Sequence, residues 1–296
     1  MSEDSALQID ENAPRVTALE RFVNVFFGRK IVVFGLVVII ILVLVAVFAP
    51  FVAPFDPYEQ NLLNTKATPS WEHPLGTDTL GRDTLSRIIY GARTSLQVGI
   101  FAILVSSSIG MLLGLTAGYF GGWTNTIIMR VMDALMSFPP IMMALMVASL
   151  LEGGIYSVIV ALSVGMIPPY ARVMCGQAMH IKENDYVLAG KAIGSTNKRV
   201  MFRHVAPNCF PPLIVMMTMS IGRAILAEAG LSYLGIGIKP PGAAWGAMVS
   251  EGYRYLETFP ILSFAPGIAI MIVVFAFNMV GDGLRDALDP RLRGTL

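Results

Sequence analysis

Residues 31–49 read IVVFGLVVIIILVLVAVFA, and sixteen of these nineteen are Ile, Leu, Val or Phe. At roughly −0.3 to −0.6 kcal/mol for each such residue, insertion into a bilayer is favourable by about 5–10 kcal/mol, an upper bound because off-centre residues count less. A secretory leader is the competing reading. The apolar run is too long for one, and Pro50 follows the only small-x-small-like site, Val47-Phe48-Ala49. The segment reads as a retained membrane span.

The rest of the 296-residue chain follows the same pattern, with 55% hydrophobic and 14% charged residues, against about 25% charged in soluble domains. Ionisable residues cluster and leave charge-free intervals at 31–55, 94–129, 134–151, 153–171, 204–222 and 258–281. Each suffices to cross a bilayer, which takes about 20 apolar residues. The interval 94–129 is too long for one crossing at about 1.5 Å per residue, and Gly118, Gly121 and Gly122 are expected to end it early. Pro139/Pro140, Pro168/Pro169, Pro211/Pro212 and Pro266 lie inside or at the ends of spans, where neighbouring helices must satisfy the carbonyls they free. The expectation is an all-α membrane protein with six bundled transmembrane helices.

Six spans put both termini on one side. With the termini inside, the inner segments hold 14 Lys and Arg and the outer ones 7, so the positive-inside rule makes the termini cytoplasmic. This divides the chain into a cytoplasmic tail (1–30), a first span with an outer loop (31–93), a permease core (94–281) and a cytoplasmic C-terminal tail (282–296). The first twenty residues are polar and mildly acidic, a disordered or surface-lying tail.

Several chemistries are disfavoured. A net charge of +1 with no basic block offers no field for nucleic acid. Cys175 and Cys209 fit neither a disulfide framework nor a metal cage. No G-x-x-x-x-G-K-[ST] loop exists to cradle a triphosphate, and its nearest echo, Gly190-Lys191-Ala192, lacks the leading glycine and the hydroxyl that holds magnesium. Ion coupling usually needs ionisable groups at membrane depth. Only Glu228, in the stretch Ala224–Ile238, qualifies; it reads equally as a carboxylate in the outer interface or paired with Arg223. An intramembrane enzyme built on Ser163 lacks a base, because no histidine falls in mid-span. Ser163 reads as a packing residue.

The loop 172–204 is large for a bundle whose other inner loops are short, and loops of such length are often functional. Asn184 can cap a helix starting at Asp185, whose charge suits the positive end of the dipole, and Gly194 can supply a left-handed stop. A helix of about nine residues is marginal alone and needs something to dock against. It is expected to expose Tyr186, Val187, Ala189 and Ile193, with Gly190 allowing close backbone approach. Ser195 can cap a second helix carrying Lys198, Arg199 and Arg203 back to the membrane, where Pro207 opens the fifth span. The alternative is a basic, membrane-hugging linker.

The run Asp185-Tyr186-Val187-Leu188-Ala189-Gly190-Lys191-Ala192-Ile193-Gly194, followed by Arg203-His204-Val205-Ala206-Pro207-Asn208, resembles the Glu-Ala-Ala loop of bacterial ABC-importer permeases. Leu188 replaces the usual Glu, Gly190 the second Ala, His204 an Ile and Ala206 a Leu. Gly76-Thr77-Asp78, Gly81-Arg82-Asp83, Tyr90-Gly91-Ala92-Arg93, Gly118-Tyr119-Phe120-Gly121-Gly122, Leu231-Ser232-Tyr233-Leu234-Gly235 and Gly281-Asp282-Gly283-Leu284-Arg285-Asp286 add matches. Together, over about residues 20–293, the chain resembles the second permease subunit of the dipeptide, oligopeptide and nickel transporter family.

That resemblance implies a type I ABC-importer permease fold in the bacterial cytoplasmic membrane, with the short helix of the 172–204 loop as the coupling helix. It implies a homologous second permease, two ATPase subunits that carry ATP and magnesium, an extracytoplasmic solute-binding protein, and no cofactor on this chain. Asp185, Tyr186, Val187, Ala189, Gly190, Ile193, Gly194, His204, Pro207 and Asn208 would form the ATPase-coupling loop. Cargo would be a di- or oligopeptide, with glutathione and nickel chelates as alternatives, and an ion-coupled secondary transporter is a distant one. Ala224–Ile238 would be a re-entrant or interfacial outer gate, or a cap on the bundle. Gly76–Arg93 should lie along the outer interface, with Asp83 and Arg87 paired at helical spacing. Arg82 and Arg93 would contact the binding protein or anchor to lipid headgroups, beside Arg223 and Glu228. Gly281–Pro290 should cap the bundle through local ion pairs.

Overall fold

The computed structural model describes residues 17–151 and 153–288. Within them the chain is helical, and the only strand-like pairing is an isolated antiparallel bridge between Thr77 and Asp83. Helix α1 (Ala18–Gly28) opens with a reciprocal capping box: the Glu20 amide donates to Thr17 Oγ1 at 3.2 Å, and the Thr17 amide donates to the Glu20 carboxylate at 2.9 Å. These donors hold the Glu20 carboxyl below its ordinary range. The polar tail expected over the first twenty residues lies outside the described residues up to position 16, and from there the chain is helix.

The 18-residue α2 (Lys30–Val47) is apolar all round, and at 1.5 Å per residue it measures about 27 Å, close to a hydrocarbon core of about 30 Å. A short turn, α3 (Ala49–Val52), follows. Helix α4 (Thr84–Phe120) runs 37 residues. It starts where the Asp83 carboxylate accepts from the Ser86 amide at 2.7 Å, and stops at Gly121, whose φ of +67° is a left-handed conformation that favours glycine. Gly118, expected to help end it, lies inside.

The third span is the one that departs from expectation. It is a broken pair, α5 (Gly122–Met136) and α6 (Pro140–Leu150), bent by 90°. Pro139 and Pro140 carry no N–H to continue the ladder, so the break falls where they stand. Among the described residues five helices are long and apolar enough to cross a membrane, or six where the bent pair counts as one span. Helix α7 (Ile155–Ile181) carries Pro168 and Pro169 in its interior. Next come the short α8 (Asp185–Ala192), the single turn α9 (Asn197–Arg199) and a π-helical turn, Val200–Val205, that feeds α10 (Ala206–Tyr233). Thr196, not Ser195, caps α9, because its hydroxyl accepts from the Arg199 amide at 3.5 Å. Helix α11 (Trp245–Tyr253) is too short to span, and α12 (Ile261–Leu288) returns.

Residues 224–233 are thus the last turns of α10, not a separate re-entrant segment. The bundle's axis is the seam between α4 and α7. Gly110, Gly114 and Gly118 recur every fourth residue, and a Cβ on Gly110 or Gly118 would lie 2.6 Å from Ile167 O or 2.5 Å from Cys175 O. Backbones approach that closely only at small residues, the usual glue where lipid offers no hydrophobic drive between helices. Gly35 seats α2 on α12 in the same way, since a Cβ there would lie 2.9 Å from Met279 Cβ. The α1–α2 junction is tied to α12 by an ion pair between Arg29 and Asp286, which supplies one of the expected local pairs of the C-terminal segment. Residues 289 and 290 of that segment lie outside the described residues. Ser163 is a packing residue, its hydroxyl donating to the Ile159 and Ala102 carbonyls.

Candidate functional site

One end of the bundle carries α8. Asn184 occupies its N-cap position with extended backbone, but its side chain makes no capping bond. The other end of the helix closes as the sequence anticipates. The Ser195 amide donates to Gly190 O at 3.1 Å and the Gly194 amide to Lys191 O at 3.0 Å, with Gly194 at φ +84°, the paired bonds of a Schellman stop. Val187 points inward and is fully buried in the cluster of Ile181, Val200, Met201 and Val205. It had been expected on the exposed face, and Leu188 takes that place. Tyr186, Leu188, Ala189 and Ile193 project outward, and Ile193 is 84% exposed.

Gly190 is the informative position. It is buried, yet a Cβ built there meets no atom within 4 Å. Nothing in this chain's own packing requires a glycine at that point. Gly194 is different, since its positive φ alone favours glycine.

The loop is held from below by the end of α4. Lys182 Nζ donates to Gly118 O at 2.9 Å, Tyr119 Oη donates to Asn197 Oδ1 at 2.9 Å, and Lys191 Nζ sits 5.1 Å from the Tyr119 ring centroid. Tyr119, Lys182 and Asn197 were not anticipated as parts of the site. Tyr119 falls in the run Gly118–Gly122, which carries no chemistry by itself, and Lys182 and Asn197 lie within the loop 172–204 but outside its recognisable motif. Beyond α9 the Ala206 amide bonds five residues back to Met201 O, a π-type irregularity of the kind found at functional sites. Half-buried His204 lies in that turn, and its carbonyl accepts from Asn208 Nδ2 at 2.7 Å. Pro207 follows at the first turn of α10, where a missing N–H is tolerated.

The residues expected to face an extracytoplasmic partner lie at the opposite end, and two of the four, Arg82 and Glu228, are buried. Arg82, 4% exposed, donates from Nε to Asp78 at 2.6 Å and reaches Glu251 on α11 at 3.4 Å. It joins the segment before α4 to α11, and neither a binding protein nor a headgroup can reach it. Asp83 and Arg87 do not pair. Asp83 caps α4 and bonds His73 Nδ1 at 2.9 Å, while buried Arg87 lies 3.3 Å from Asp78 and donates to Pro57 O at 3.3 Å. Instead of lying along an interface, the segment 76–93 folds into the bundle. Arg93 and Arg223 are exposed, and Arg223 donates to Ser220 Oγ at 2.7 Å.

Glu228 is neither interfacial nor paired with Arg223. It is 0% exposed and accepts from Ser232 Oγ at 2.7 Å and from Ser95 Oγ of α4 at 3.3 Å, while Ser232 Oγ accepts from the Ile238 amide at 3.3 Å. One side chain thus joins α4, α10 and the segment leading to α11. A partner protein cannot touch it.

Comparison with known proteins follows this geometry. The family described as "Binding-protein-dependent transport system inner membrane component" matches residues 110–294, and that described as "N-terminal TM domain of oligopeptide transport permease C" matches residues 17–69. A dipeptide transport system permease protein of Haemophilus influenzae is 42% identical over 95% of this chain and 97% of its own. An oligopeptide transport system permease protein of Bacillus subtilis is 40% identical (90% and 88%), and a glutathione transport system permease protein of Pectobacterium atrosepticum 41% (83% and 82%). Among solved structures, an inward-facing methionine ABC transporter chain aligns with a TM-score of 0.56 at 18% identity, covering 69% of this chain and 96% of that one. That likeness is one of fold.

Proposed function

This chain belongs to the family of binding-protein-dependent transport system inner membrane components, and on that premise we propose that it is one of two permeases lining the pathway of an importer for di- or oligopeptides. It is a multi-pass membrane protein and not an enzyme. ATP hydrolysis belongs to separate subunits that seat α8, and an extracytoplasmic binding protein delivers cargo at the α11 end. The observation that carries this reading is Gly190, a buried glycine with open space at its Cβ position, flanked by exposed Tyr186, Leu188 and Ile193. A surface groove receiving α8 supplies the reason that this chain's packing lacks.

Force on α8 passes along two routes. Val187 in its apolar socket carries displacement to the π-turn and α10, and the Tyr119 and Lys182 bonds carry it to the α4–α7 seam. Such a rigid shift of a packed element is an ordinary means of switching. Peptide cargo, rather than glutathione, is favoured because the peptide-named relatives cover 95% and 90% of the chain and the glutathione-named one 83%. The termini and α8 are cytoplasmic, as the Lys and Arg distribution requires.

The test is Ala189→Cys in the pair of permeases expressed without their ATPase subunits. A membrane-impermeant maleimide should label it in inside-out vesicles and not in intact cells, and added ATPase subunits should protect it. Labelling from outside intact cells would refute the assignment.

A further inference from the structure

A crevice of about 340 Å³ lies between α2, α4 and α12 in the half of the bundle away from α8. Val38, Ile41 and Val45 of α2 form one wall, Ala92 of α4 and Val273 of α12 two others, and Trp245 closes its floor. Every lining side chain is apolar or aromatic, and the single polar atom of the floor, Trp245 Nε1, is committed to Ile88 O at 2.9 Å. The mouth runs between Ile41, 55% exposed, and Ile272, 44% exposed, both on the belt of apolar side chains that the spanning helices present to their surroundings.

We propose that this crevice binds an acyl chain of a membrane phospholipid. An apolar cavity excludes water, and its mouth lies between spanning helices, where the medium at hand is hydrocarbon. The wall from Val38 to Val45 extends about 10 Å along α2, so an extended chain lies parallel to the helices within it. Its inner end meets the Trp245 ring, packed over Gly91 at the start of α11. A bound tail therefore wedges α2 against the same helix that Arg82 and Thr79 tie down through Glu251. Occupancy would stabilise the position of α11.

The importer is reconstituted in nanodiscs of phosphatidylethanolamine and phosphatidylglycerol containing a phosphatidylglycerol with a diazirine in one acyl chain. It is then irradiated and the adducts are mapped by mass spectrometry. Adducts are expected at Ala92, Ile89 or Val273, which are buried in this chain and can be reached only from inside the crevice. Ala269→Leu, which narrows it, should reduce those adducts severalfold while labelling of exposed Phe275 persists. Adducts confined to exposed positions such as Ile41 and Ile272, or buried adducts unchanged in Ala269→Leu, would each overturn the proposal. The first outcome comes from the unsubstituted chain and does not depend on the variant folding.

Discussion

Gly190 and Glu228 show what one residue does here. Gly190→Leu starts from a Cβ position that meets no atom of this chain within 4 Å, so we expect normal membrane insertion and complex stability with cargo-stimulated ATP hydrolysis lost by tenfold or more. Hydrolysis measured in detergent-purified importer checks it, and unimpaired stimulation would remove the reason for placing the contact there. Glu228 acts by bonding. Its two serine donors reside on α4 and α10, and a buried group left unpaired costs about 1–3 kcal/mol. Glu228→Gln keeps acceptor capacity and should hold transport within a few-fold, whereas Glu228→Ala strands Ser95 and should lower the thermal midpoint by several degrees; equal midpoints would sink this account. The sequence singled out Glu228 as unusual but put it at the surface, since a partner 133 positions away, Ser95, leaves no local trace.

The elements carry the next level. That α8 stops before Gly194 was legible, because a left-handed stop is local chemistry, whereas its start at Asp185 is found without the side-chain cap that Asn184 suggested. That Val187 faces inward was not, since an eight-residue helix with mixed composition shows no apolar stripe and its socket comes from residues 200–205. Truncation by Val187→Ala should destabilise the docked helix by about 1–2 kcal/mol, read as faster amide exchange over residues 185–194 than over α7; unchanged exchange would mean α8 is held otherwise. The α4–α7 seam repeats the lesson in reverse. Its Gly110-x-x-x-Gly114-x-x-x-Gly118 spacing is a packing motif, hidden when Gly118 is read as a helix stop. Gly114→Leu would drive a side chain into the Ala171 carbonyl, and overpacking of about 1–3 kcal/mol or more should reduce the yield of folded protein in membranes. Wild-type yield would show that the seam can open.

At the scale of the molecule, hydropathy and charge-free intervals read out the helical membrane class and five of the six crossings as single helices. The third failed because interval length says nothing of direction, and a pair of prolines at 139–140 turned it by 90°. The outer segment failed because Arg82, Asp83 and Arg87, which look like surface charges, satisfy one another's neighbours inside the bundle. The proposed half-channel has an α11 end stapled by charge and an α8 end whose exposed Tyr186, Leu188 and Ile193 would meet a partner. The direct measurement is peptide uptake into proteoliposomes holding this chain and its second permease, with binding protein and cargo inside the experiment throughout and ATPase subunits added or withheld. Accumulation should require both the ATPase subunits and an intact α8, and vanish in Gly190→Leu. Concentrative uptake by the permeases alone, or undiminished uptake in that variant, would contradict it.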